Sequence, residues 1–213
     1  MSGFLQGFAA AVAKANATSS FDYAVKSGVP WRLYFADGRE QVAVIAGNDK
    51  YTIQVPATGG GTQELAKLEI ELICPEALTA RLQRLLPAKL ATPPAESAIP
   101  PLRIELRQVV KNRTLFAAMA DHEAICFTLL SGRCLSGQVA SFTRYEIVLN
   151  LESKLPVVIL RHALFSAFSP NGRDLLKTAQ DRERDWKKSS AWMENSPVTN
   201  VEVKAPDAAT ERT

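Results

Sequence analysis

Two short pairs in this chain set a cation beside a flat ring: Lys50-Tyr51 and Arg144-Tyr145. A third pair, Arg161-His162, sets a permanent cation beside an imidazole, and Lys67 stands at the place in the first half that Arg161 holds in the second. Flat faces and cations together are what an unstacked nucleic-acid strand requires, because rings take up bases and cations take up phosphates. His162 can donate a hydrogen bond to a base edge or a phosphate, and it gains charge below its pKa. The same residues also have a plain reading. A tyrosine that opens a strand commonly packs on the sheet, and an Arg-His pair in a loop is commonly only solvated. Catalytic chemistry lacks its parts. The two histidines, His122 and His162, have no Ser/His/Asp, Cys/His or metal-ligand spacing around them. Gly59-Gly60-Gly61 is not followed by the Lys-Ser/Thr of a phosphate-cradling loop. The expectation is a binding protein and not an enzyme, with no cofactor and no metal.

The elements that must position these residues come in two copies. Gly38-Arg39 recurs as Gly132-Arg133, 94 positions on, and at the same shift Ala46 meets Ala140, Tyr51 meets Tyr145 and Ile53 meets Ile147. The register holds without a gap from about Phe21 to Ile73. Two copies are too few for a solenoid, so each copy should be a small fold, or one that completes itself in an oligomer. Within the second copy, Ile125–Leu130 alternates and stops at Ser131-Gly132, a hairpin-type turn. Leu135–Phe142 follows, with Gly137 marking a bend. Tyr145–Leu149 alternates again, Val157–Leu160 is a fully apolar run, and Ala163–Phe168 closes the set. A helix followed by five short, strongly bent strands suits a small open barrel. Ala43 stands where the second copy has Gly137, so the second strand of the first copy should bend less.

The spacing predicts an Ala-rich loose helix over 1–20, the first domain over 21–74, and a connector over 75–101. In the connector a helix from Pro75 to Leu86 leads into an extended Pro-rich stretch. The second domain spans 102–168 and opens with a helix from about Ile104 to Ala120. From Ser169 onward the chain turns polar, its charges cancel, and a mostly disordered tail is expected, in which Trp186 and Trp192 fold back on the barrel. A formal net charge of +3 permits a polyanionic partner without demanding one. Three cysteines, Cys74, Cys126 and Cys134, are an odd count without Cys-x-x-Cys, which fits buried thiols in a reducing compartment. With no window as long as a membrane span and no basic start to the N-terminal segment, the chain reads as cytoplasmic and without a membrane partner.

The run Leu135-Ser-Gly-Gln-Val-Ala-Ser-Phe-Thr-Arg-Tyr-Glu-Ile-Val-Leu149, with Leu160-Arg-His-Ala163 after it, resembles the bacterial Hfq member of the Sm-like family. Val29–Gly38 in the first copy resembles the first strand of that family and its turn. The resemblance implies a mainly β fold with some α: two tandem Sm-like folds, each an N-terminal helix on a strongly bent five-stranded antiparallel open barrel. It implies subunits joined edge to edge through their fourth and fifth strands, which gives the apolar run Val157–Leu160 a partner and removes an aggregation hazard. Three chains would then form a pseudo-hexameric ring of alternating copies.

The resemblance also implies a uridine-rich single-stranded RNA site at Tyr145, Arg161 and His162, with Arg144 beside it, and a post-transcriptional regulatory role. Lys50, Tyr51 and Lys67 are the first-copy counterparts. There Leu68 replaces the histidine, and Glu69 and Glu71 bring negative charge, so that site reads as degraded and partly structural. Tyr34 and Gly38 match the family's second, purine-binding face in the first copy, while Thr128 takes the aromatic's place in the second. The helix end Met119-Ala-Asp-His-Glu123 carries no arginine cluster, which counts against RNA annealing. The competing reading is a structural or protein-interaction module that kept the assembly and lost RNA.

Overall fold

The computed structural model describes residues 19–57, 59–86 and 107–178, with Gly7, Phe8 and Ala13 ahead of them. Ser19 starts the first helix, α1 (Ser20–Ser27), through a capping box: its Oγ accepts the Asp22 N–H at 3.1 Å, and the Asp22 carboxylate accepts the Ser19 N–H at 3.1 Å. Phe21 and Ala24 turn inward from this helix. Strands β1 (Pro30–Phe35), β2 (Glu40–Val44), β3 (Gly47–Asn48), β4 (Thr52–Pro56) and β5 (Thr62–Ala66) follow. A 3-10 turn over Lys67–Glu69 leads into β6 (Ile70–Pro75). After a short 3-10 turn the connector forms α2 (Thr79–Leu85), which buries Leu82. The rest of the expected linker lies outside the described residues, as do Trp186 and Trp192.

The second unit repeats this order. α3 (Asn112–Ala120) precedes β8 (Ala124–Leu129), β9 (Cys134–Phe142), β10 (Glu146–Leu151), β11 (Leu155–Leu160), a 3-10 turn over Arg161–Ala163, and β12 (Leu164–Phe168). The 94-residue shift carries β1 onto β8, and it carries the turn Lys67–Glu69 onto Arg161–Ala163. The fold is mainly β, with few helices and a large antiparallel sheet. Among the described residues no helix is long and apolar enough to cross a membrane.

Eight strands form one sheet in the order β12-β8-β9-β10-β11-β6-β1-β2, and β3-β4-β5 form a second, smaller one. The two units therefore join inside the chain, by β11 of the second lying antiparallel on β6 of the first, Val158 opposite Ile73 and Ile159 opposite Leu72. The apolar run over Val157–Leu160 follows from this seam. Alternate side chains serve opposite cores: Val157 and Ile159 enter the core of the second unit, Val158 and Leu160 that of the first. In return Tyr34, Leu72, Cys74 and Leu82 of the first half complete the second core.

Three expectations need correction. The second strand of the first unit is not straighter but broken, β2 ending at Val44 and β3 passing into the smaller sheet. A Cβ at Gly137 would lie 2.8 Å from the Asn150 carbonyl oxygen and 2.9 Å from Leu151. Only glycine lets β9 run that close to β10, and Ala43 carries the Cβ that forbids the same approach in the first unit. The helix expected from Ile104 begins only at Asn112; ahead of it β7 (Gln108–Val110) is a strand, paired with β13 (Leu176–Thr178). The β-branched Val109-Val110 prefer that state. Finally, residues 169–178 are folded: the chain turns after Phe168 and Leu175 and Leu176 are buried.

Candidate nucleic-acid interface

Tyr51 and Tyr145 open β4 and β10, the third strands of their units, and both rings stand out from the surface, 69% and 62% exposed. Each carries its preceding cation over the ring: the Lys50 ammonium lies 4.9 Å from the Tyr51 centroid, the Arg144 guanidinium 5.7 Å from that of Tyr145. The two loops are tied to one place: Glu146, after Tyr145, accepts the Ser20 N–H at 2.8 Å, and Asn48, two residues before Lys50, donates to the Ser19 hydroxyl at 3.2 Å. The Lys50 pKa is raised, first by a hydrogen bond with Tyr51 and also by the Tyr145 ring, and Arg144 opposes the rise. The two pairs, one from either unit, thus stand on loops fastened to the same helix start, Ser19-Ser20 of α1. Nothing in this geometry makes Tyr51 the structural residue expected from the sequence; a ring this exposed packs on little.

Arg161 and Lys67 have another task than the expected one. Arg161 is buried, and its guanidinium donates to the Asn112 Oδ1 at 2.7 Å, to the Thr143 carbonyl at 2.9 Å and to the Val110 carbonyl. Its backbone N–H donates to the Tyr145 carbonyl at 2.8 Å. Lys67 repeats the pattern: its N–H donates to the Tyr51 carbonyl at 2.9 Å and its ammonium to the Asp49 carbonyl, the match of Thr143. Lys67 also lies 5.1 Å from the Phe21 ring, and burial lowers its pKa. Both cations brace the loop that presents a tyrosine, and neither is an exposed phosphate ligand.

His162 is likewise committed. Its Nε2 is 3.0 Å from the Ile70 carbonyl, an acceptor, so the ring donates to the first unit's backbone across the seam. Burial pushes its pKa down to about 4, and the ring is neutral at physiological pH. Tyr34 is fully buried, its ring under the Arg133 guanidinium at 5.0 Å, and it offers no face to a base. The expectation of a second RNA surface at Tyr34 fails on that burial. Its hydroxyl finds no hydrogen-bond partner among the described residues.

The acidic residues do not spoil the surface as the sequence suggested. Glu71 is buried in the seam, accepting from Arg133 Nη1 at 2.6 Å, from the Ser131 hydroxyl at 2.5 Å and from the Ser131 N–H at 3.1 Å. Burial raises its pKa and these donors pull it back. Glu69 faces Arg39 at 3.5 Å. Sequence reasoning missed Glu146, next to Tyr145. It is buried, and its Oε2 accepts the Ser20 N–H at 2.8 Å, which fastens the tyrosine loop of one unit to the first turn of α1 in the other. Thr143 Oγ1 accepts the N–H groups of Tyr145 and Glu146, each at 3.0 Å, and fixes the loop from the other side. The available signal was a glutamate at the head of an apolar strand, where the first copy has Thr52. Among the described residues no group of three or more His, Cys, Asp or Glu side chains could hold a metal ion. Comparison with protein-family models, with curated proteins and with solved structures gives no match.

Proposed function

We propose that the chain is a tandem Sm-like, Hfq-like protein that binds single-stranded RNA on the surface shared by Tyr51 and Tyr145, and that it regulates RNA by binding and not by catalysis. One observation carries this: two exposed tyrosines at matched positions, each under its own cation, on loops that are both fastened to the start of α1. Adjacent bases can stack on the two rings while Lys50 and Arg144 neutralise the phosphates between them. The repeated order of one helix and five strands supports the Sm-like reading, and so does a seam made of a fourth strand on a fifth. Uridine-rich RNA is the class the resemblance implies.

The test is fluorescence anisotropy with short uridine and adenine oligomers over a range of salt. Tyr51→Ala and Tyr145→Ala should each cost about 1–3 kcal/mol of affinity. Two neutralised phosphates should give a slope of about 1.4 log units of affinity per decade of salt. A second reading, a protein-interaction module, draws on the burial of Arg161 and on the bond of His162 to the Ile70 carbonyl, which engage two of the expected RNA contacts elsewhere. If neither oligomer binds at low salt while the protein stays folded, that reading replaces the first.

A further inference from the structure

The seam between β6 and β11 is one of two places where a fifth strand could receive a fourth; the other is the outer edge of β12. There the residues matched to Leu72 and Ile73 are Ser166 and Ala167. β12 has β8 on one side only, so the opposite edge is the one a neighbouring chain would use. Its C-terminal end is already taken. The chain turns over 169–172, with the Gly172 N–H donating to the Ser169 carbonyl at 2.9 Å and Gly172 at a φ of 78°. It then returns along β12: Asp174 bridges Phe168, and the Leu175 N–H donates to the Ala167 carbonyl at 2.9 Å. Leu175 and Leu176 enter the core of the second unit, and β13 runs on to pair with β7.

The outer edge of β5, the fourth strand of the first unit, is unsuited to copy the seam. Gln63, Glu64 and Ala66 stand where β11 has Val157, Val158 and Leu160. At the place of Val158, which is buried in the core of the neighbouring unit, Glu64 would bring a carboxylate. The buried network of the seam cannot recur either, since Phe165 stands for Glu71 and Asp37 for Ser131.

We propose that the segment Arg173–Leu176 is a built-in strand cap that ends edge-to-edge assembly, so that the chain works as a self-contained arc of two units. A ring of three chains would have to displace this segment and bury Glu64. The cap is a surface held by the chain's own residues, and it is independent of whether the tyrosine surface binds RNA.

Light scattering and native mass spectrometry of the full chain at micromolar concentration, with amide hydrogen exchange, test this. The expected result is the mass of one chain, with the Leu175 amide exchanging at least about 100-fold more slowly than the amides of the exposed residues Gly59 and Gly61. Leu175→Pro removes the donor to Ala167, and Gly172→Val strains the turn; either should shift the protein to concentration-dependent species heavier than one chain. A three-chain species of the unaltered protein would overturn the proposal, as would an unprotected Leu175 amide. So would variants that lose the cap and keep the mass of one chain. If a variant fails to fold, the mass and the exchange of the unaltered chain decide.

Discussion

Arg39 and Arg133 follow the same glycine in matched turns, yet they live in different media. Arg39 is 57% exposed, pairing with Asp37 at 2.5 Å and lying 4.5 Å from the Phe35 ring. Arg133 is 7% exposed, held by Glu71, Ser131 and, at 3.4 Å, Glu40, with Tyr34 beneath it. The difference lies not in the two turns but in what abuts them. The turn of the second unit meets β6 at the seam, where Glu71 awaits it; the turn of the first unit gives the Gly38 carbonyl to Arg133 at 3.4 Å and leaves its own Arg39 in solvent. A duplicated sequence thus gives one joint between the copies and two unlike ends, and a residue's role depends on which side of the joint it falls.

Substitutions at matched positions can break or sharpen this contrast. The largest expected effect is Arg133→Ala, which strands Glu71 as a buried, uncompensated carboxylate. It should cost about 3–5 kcal/mol in urea unfolding. Arg39→Ala, which breaks an exposed pair, should cost less than about 1 kcal/mol. Equal losses would show that the two turns are equivalent after all.

The next effect depends on pH. His162 folds neutral, with its pKa depressed to about 4 from 6.5, so the stability tied to it is complete above 6.5 and is lost as pH falls toward 4. The loss should reach at most about 3 kcal/mol. His162→Leu, which installs the residue of the first unit at Leu68, should flatten the pH profile in that window. An unchanged slope between pH 6.5 and 4 would show that the ring is not buried against Ile70.

Smaller still is the contrast between the braces. Arg161→Ala gives up three side-chain hydrogen bonds at a buried site and should cost about 2–3 kcal/mol of stability. Lys67→Ala, with one such bond at a half-buried site, should cost about 1 kcal/mol. Both should weaken RNA binding by releasing a tyrosine loop, and neither should change the salt slope. A shallower slope for Arg161→Ala would restore it as a phosphate ligand.

Much of this architecture was legible in the chain. The 94-residue register predicted the two sets of strands, and the unbroken apolar run at Val157–Leu160 pointed to a partner strand, which β6 of the same chain supplies where a neighbouring subunit was expected. The pairs Lys50-Tyr51 and Arg144-Tyr145 were named from the Sm-like resemblance, with residue type in support, and their exposure is a finding of the structure. What escaped was set by contacts distant in sequence. Tyr34 reads as a surface aromatic until Arg133 covers it. Arg161 reads as a free cation because its acceptors, Asn112, Thr143 and Val110, come from three separate stretches. β7 and β13 are too short to declare themselves; the β preference of Val109-Val110 is realised where β13 pairs with them.

The alternation along β11 has a consequence for how the protein is made. The first unit is synthesised with an open β6 edge, and its core lacks Val158 and Leu160 until the second unit is nearly complete. Neither half can reach its final packing alone, so the two should melt in a single transition. Folding has to wait for a pairing between residues as distant as Ile73 and Val158, a closure that slows the search for the native state. During that interval the emerging chain carries a bare strand edge of Ile70, Leu72 and Ile73, the stretch most exposed to wrong partners on the ribosome.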